Sequence, residues 1–144
     1  MATFVYNSFK AGMMSGLLNL ATANLRVGLV TSTYTPDPDG DRTYSDIAGE
    51  VAAGNGYSVG GELLTNVAVT TDLDNDYSML DADNVTWSTS SITASGAFVY
   101  ASGTHSPYTH PLIAYIDFGQ NQTSNNGDFS IEWASGGIIK LQNG

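Results

Sequence analysis

Along residues 128–133 apolar and polar side chains alternate one for one: Phe129, Ile131 and Trp133 stand between Asp128, Ser130 and Glu132. A period of two belongs to a strand with one buried face and one wet face. The preceding run, 112–118, is apolar on both faces except at Asp117, which predicts a central strand covered on both sides. Residues 120–127 hold only Gln, Asn, Thr, Ser and Gly, so they read as a polar loop and the two runs read as a pair.

The same reading extends upstream. In 24–31, Leu25, Val27 and Leu29 share one face and Arg26, Gly28 and Val30 the other, which predicts a strand. Further strands are expected over 62–70, 77–80, from 85 to 87, over 92–101 and at 138–141. Residues 72–76 read as a turn, and Pro36, Pro38 and Gly40 break any regular structure in 32–43. A loop is expected over 104–110 and one helical turn within 44–51. The one helix of any length falls in 6–18, where Phe9, Met13, Met14 and Leu17 form a stripe. Asn7 or Ser8 is placed to cap it, and Gly12 and Gly16 should keep it short. The sum is seven to nine short strands with regular turns, and no internal repeat. That predicts a mainly β fold, an antiparallel β-sandwich or jelly roll with one short N-terminal helix, forming a single domain over 1–144.

Composition narrows the function. The chain has 144 residues and no cysteine, which excludes thiolate metal sites and a thiol nucleophile. Four Lys and Arg against fourteen Asp and Glu give a net charge of −10. Such a surface repels nucleic acid and anionic lipid, so neither is an expected partner. The first twenty residues lack the basic and apolar regions of a secretory signal, and no run reaches the length of a membrane span. A soluble protein made in the cytoplasm is expected.

Chemistry is sparse. Asp37, Asp39 and Asp41, and again Asp72, Asp74 and Asp76, have the alternate-carboxylate spacing of a calcium loop. Neither set continues with the glycine and glutamate that complete such a loop, and Asp and Asn are common in ordinary turns. His105 and His110 flank Pro107 at no recognised zinc spacing. Gly56-Tyr-Ser-Val-Gly60 spells Gly-x-Ser-x-Gly, but it leads into an expected strand and not a helix, so it is no nucleophile elbow, and nothing pairs Glu50, Glu62 or Glu132 for acid–base work. Gly54, Gly56, Gly60 and Gly61 read as turns and not as a phosphate cradle. No catalytic residue and no cofactor is expected. Tyr100, Tyr115, Trp87 and Trp133 are assigned to the core; Tyr34 and Tyr108 fall in loops and suit an interface.

Several segments together resemble a family of small structural proteins encoded by tailed bacteriophages. They are Tyr6-Asn-Ser-Phe-Lys10, the strand at 25–31, Thr33-Tyr-Thr-Pro36, Tyr44-Ser-Asp-Ile47, Gly56-Tyr-Ser-Val-Gly-Gly61, Asp81-Ala-Asp-Asn-Val-Thr-Trp87 and the pair at 112–133. The pattern covers nearly the whole chain. The resemblance implies a virion protein without catalytic residues, of which a capsid cement or decoration protein with a jelly-roll-like fold is the nearest role. Its partner would be the major capsid protein, its place the capsid surface, and its form a homo-oligomer, a dimer or trimer. Phe4, Tyr6, Phe9, Tyr34 and Tyr108 are the expected contact residues. Two alternatives stand beside this: a tail, spike or fibre component, and a calcium-dependent carbohydrate-binding module using Asp72, Asp74 and Asp76 or the earlier acidic set.

Overall fold

The computed structural model describes residues 3–143. In chain order the elements are β1 (Phe4–Val5), α1 (Asn7–Met14), β2 (Leu25–Val30), a single 3-10 turn at Tyr44–Asp46, β3 (Glu62–Leu63), β4 (Ala68–Asp72), β5 (Tyr77–Asp81), β6 (Val85–Ser90), β7 (Thr93–Ala101), β8 (Thr104–His105), β9 (Tyr108–Thr109), β10 (Leu112–Thr123), β11 (Gly127–Ile131) and β12 (Ile139–Gln142). The fold is mainly β, as expected, and of β-sandwich type. Of its twelve strands four are two-residue pairings, which leaves eight of four residues or more. Every strand pair is antiparallel.

A five-stranded sheet runs in the order β1-β10-β7-β2-β3. Its middle strand, β7, is buried almost throughout, and its two faces serve two cores. Ala97, Val99 and Ala101 of β7 join Leu25, Val27 and Leu29 of β2 in the main core, where Trp87, Phe129, Ile131, Leu80 and Ile139 arrive from the smaller sheets β11-β6 and β12-β5-β4. Phe98 and Tyr100 point the other way, into a second core with Tyr6, Val30, Tyr34, Leu112 and Tyr115. Tyr34, Tyr44 and Ile47 of the segment 31–61 lie over that second face as a strap, while Val51 and Tyr57 reach the main core. The strap is tied down by single antiparallel bridges, Val30 to Glu50 and Thr43 to Pro111. A register shift between Leu112 and Ala114 inserts one extra residue in β10. Such a bulge breaks the alternation, which is why neighbours Ile113 and Ala114 both reach the main core.

The structure corrects the sequence reading in four places. The runs 112–118 and 129–133 are not a hairpin: β10 pairs with β7 and β1, and β11 pairs with β6. β10 continues to Thr123, so half of the expected loop is strand. The expected strand at 62–70 splits into β3 and β4 around Asn66, whose φ is +52°. The helix stops at Met14, and Met14 itself is 84 % exposed, off the apolar stripe. Its N-cap is Tyr6, with no side-chain cap. Asn7 instead donates its amide to Asp39 and accepts from Lys10 at 3.0 Å.

Candidate protein-binding surface

The two acidic sets are turns whose carboxylates serve their own loops. Asp37 Oδ1 accepts the backbone N–H groups of Asp39 and Gly40 at 3.0 and 2.9 Å, and Asp41 Oδ2 accepts the Tyr34 hydroxyl at 2.6 Å. In the β4–β5 hairpin, Asp72 Oδ1 accepts the N–H groups of Asp74 and Asn75, both at 3.0 Å. The Asn75 side chain adds a bond at 2.9 Å, the largest of the effects that hold the Asp72 carboxyl below its ordinary range. This is the Asx-turn chemistry that makes Asp common in turns. Among the described residues no cluster of three His, Asp or Glu side chains is arranged to hold a metal ion.

The two histidines also work locally. His110 Nδ1 accepts the Gly103 N–H at 2.8 Å, and His105 Nε2 lies 3.2 Å from the Ser102 carbonyl. They belong to the small hairpin β8–β9, where a plain loop was expected.

Glu50 gathers three hydrogen bonds from its own segment. Tyr44 donates its hydroxyl to Oε2; Tyr57 Oη and Gly60 N donate to Oε1 at 2.7 and 2.8 Å. Tyr57 Oη in turn accepts the Leu29 N–H of β2 at 3.1 Å. Burial first, and then the bond to Glu50, push the Tyr57 and Tyr44 hydroxyls above their usual pKa. Arg26 and the Tyr100 hydroxyl bond the carbonyl of Gly60, 2.7 Å away in the case of Tyr100. All of this fastens the strap to the five-stranded sheet. No local pattern pairs Glu50 with a neighbour, because its partners come from 6, 7 and 10 residues away in an irregular segment.

Three of the five expected contact residues are interior. Tyr6 and Phe9 are 0 % and 1 % exposed, and Tyr34 is 7 % exposed. Tyr6 and Tyr34 share a hydroxyl–hydroxyl bond of 2.9 Å, and Tyr34 packs edge-on against Tyr115. Their polar tips are satisfied inside, so burial costs them little. They cannot touch a partner while the fold is intact. Phe4 and Tyr108 are partly exposed and line separate hollows. Trp133, expected in the core, is also only partly buried; its Nε1 donates to the Asp83 carbonyl at 2.9 Å.

Trp133 helps to line a groove of about 570 Å³. Its floor is apolar, with Ile116 and Phe118 of β10 facing Phe129 and Ile131 of β11, and Trp133 and Ile138 beside them. Phe118 and Phe129 meet across it with ring centroids 6.2 Å apart. Every residue from Asp128 to Ala134 lines the groove. Both faces of a strand can border one space only along its edge, so the groove follows the edge of β11. Of the described strands only β6 pairs with β11. On the opposite wall, β1 pairs with β10 only at Ala114 and Tyr115. Among the described residues that line it, the charged ones are Asp128 and Glu132.

Compared with protein families, curated proteins and solved structures, the chain matches none. The alternation in 128–133 was visible in the sequence; that it borders an open groove depends on β10 and β11 facing each other across layers, which no local pattern encodes.

Proposed function

We propose that this chain is a non-enzymatic binding protein of a virion, most specifically a capsid cement protein that docks on the shell of a tailed bacteriophage. The observation that carries the reading is how the side chains are used. The carboxylates of Asp37, Asp72 and Glu50 are hydrogen-bonded within their own turns and strap. Ile116, Phe118, Trp133 and Ile138, by contrast, are only partly buried where they line the groove beside β11. That pattern suits a surface that meets another protein. The resemblance to tailed-phage structural proteins narrows the partner to the major capsid protein. A net charge of −10 favours a basic face on that partner. Repetition of a homo-oligomer over a symmetric shell turns modest contacts into lasting attachment. Phe4, Tyr108 and Trp133 are partly exposed aromatic groups available for contact.

The test mixes the purified protein with expanded shells lacking it. Co-sedimentation, and a raised thermal midpoint of the shell, are the expected results. Failure to co-sediment, with tagged protein mapping to the tail of intact virions, would replace the capsid by the tail, spike or fibre alternative.

A further inference from the structure

We propose that the groove beside β11 binds one extended segment of a partner protein, which adds as a strand to the free edge of β11 and carries a basic residue at each end of the contact. The inference rests on the reading of the chain as a protein-binding module, but not on the capsid as its partner.

A strand paired on one side presents a row of backbone donors and acceptors on the other, and an extended peptide satisfies them best. β11 has β6 on one side and the groove on the other. The groove also offers what a bare edge lacks, an apolar floor for alternate side chains of the incoming strand. Ile116, Phe118, Trp133 and Ile138 supply it.

Charge selects the occupant. Asp128 and Glu132 are exposed and lie on the same outward face of the strand, with Ser130 between them. Four residues of strand put them about 13 Å apart. An incoming strand therefore meets them with two residues that are themselves four apart and face outward. Among the described residues, none that lines the groove is basic. Of the chain's own cations, Lys10 and Lys140 line the adjoining hollow beyond Ile138, and Lys140 lies over the Tyr77 ring at 4.2 Å. A second copy of this chain would bring another net charge of −10 to the acidic rim. The favoured pattern is thus basic, apolar, polar, apolar, basic, the charge complement of Asp128-Phe-Ser-Ile-Glu132.

The experiment titrates the full chain with a blocked peptide, Thr-Lys-Val-Thr-Val-Lys-Thr, and follows Trp133 emission. A saturable shift is expected, absent in Trp133→Phe, and weakened by added salt. The same peptide with Glu for both Lys should bind on the order of tenfold more weakly. The exposed double change Asp128→Lys/Glu132→Lys should reverse that preference while leaving the melting temperature near wild type. Equal binding of both peptides, or of neither, overturns the proposal. So does a concentration-dependent dimer by sedimentation that is broken by Trp133→Ala, since the occupant is then a second copy. Binding of shells with no binding of the peptide also overturns it, whereas binding of the peptide without shells supports it and removes only the capsid as partner.

Discussion

Gly28 of β2 sits directly opposite Phe98 of β7, and the Phe98 ring fills the space where a side chain at Gly28 would go. A Cβ built on Gly28 would stand 2.3 Å from Phe98 Cζ and 2.6 Å from Cε1. Phe98 is fully buried, with Tyr100 stacked on it at 5.7 Å and Tyr44 edge-on at 5.7 Å. The ring has nowhere to retreat. Gly28→Ala should therefore destabilise the protein by about 1–3 kcal/mol, the usual result of overpacking a core. Urea unfolding measures it directly. A variant as stable as the parent would show that the second core is loosely packed.

The strap makes a second prediction. Tyr57 Oη donates to Glu50 and accepts from the Leu29 N–H, linking strap to sheet through one hydroxyl. Tyr57→Phe leaves a buried backbone donor on β2 without its acceptor and should cost about 1–3 kcal/mol. Glu50→Ala strips the acceptor from Tyr44, Tyr57 and Gly60 together and should cost as much or more. The two changes share a bond, so the double variant should lose less than their sum, with a coupling of roughly 0.5–3 kcal/mol. Limited proteolysis should cut the single variants first within 31–61. Strict additivity would mean that the bond holds nothing.

These two cases mark what the sequence discloses. β2 and β7 were legible because a buried strand writes its two faces into alternate positions, and Leu25, Val27 and Leu29 do so without interruption. The pairing of β10 with β7, and of β11 with β6, was not legible. Alternation states that a strand exists and which face is wet, but it does not name the neighbour. A polar stretch such as 120–127 suggests a hairpin whether the chain turns back or continues to Thr123. Three of the expected contact residues, Tyr6, Phe9 and Tyr34, proved interior for a related reason. Tyr34 lies in a Pro-containing loop and reads as exposed, yet Asp41 and Tyr6 supply partners that let it sit inside. Such partners come from distant positions, 28 residues away in the case of Tyr6.

Alkaline pH should unfold the protein through those same tyrosines. Burial is the main cause that holds the hydroxyls of Tyr6, Tyr34 and Tyr57 above the ordinary tyrosine value; bonds to Asp41 and Glu50 add to it for Tyr34 and Tyr57. A folded pKa above the unfolded one means that the folded state keeps its protons longer. The stability is fully present below about pH 10, where unfolded tyrosine titrates, and is lost as pH rises toward the folded values. Absorbance of tyrosinate at alkaline pH should show a first set of hydroxyls ionising reversibly. The rest should ionise only together with the loss of the β circular dichroism signal. If all eight tyrosines ionise in one reversible phase with the fold intact, the interior placement of these three is wrong.

The acidic turns yield the last prediction, which separates a turn from a calcium loop. Asp72 accepts two backbone N–H groups and the Asn75 amide, and Asp76 ends the β4–β5 turn at a φ of +57°. Asp74 contributes its backbone N–H to this arrangement. If the loop is a turn, the carboxylates at 72 and 74 are unequal. Asp72→Ala removes the acceptor that shapes the turn and should lower the thermal midpoint; Asp74→Ala should leave it nearly unchanged. Asp72→Asn keeps an acceptor oxygen and should recover most of the loss. Calcium should have no effect on the midpoint relative to a chelator, in the parent or in any variant. In a calcium loop the opposite holds. The midpoint would rise with calcium by an amount that grows with its concentration, and Asp74→Ala would abolish the rise. Differential scanning calorimetry of the three variants, with calcium and with chelator, decides between the two.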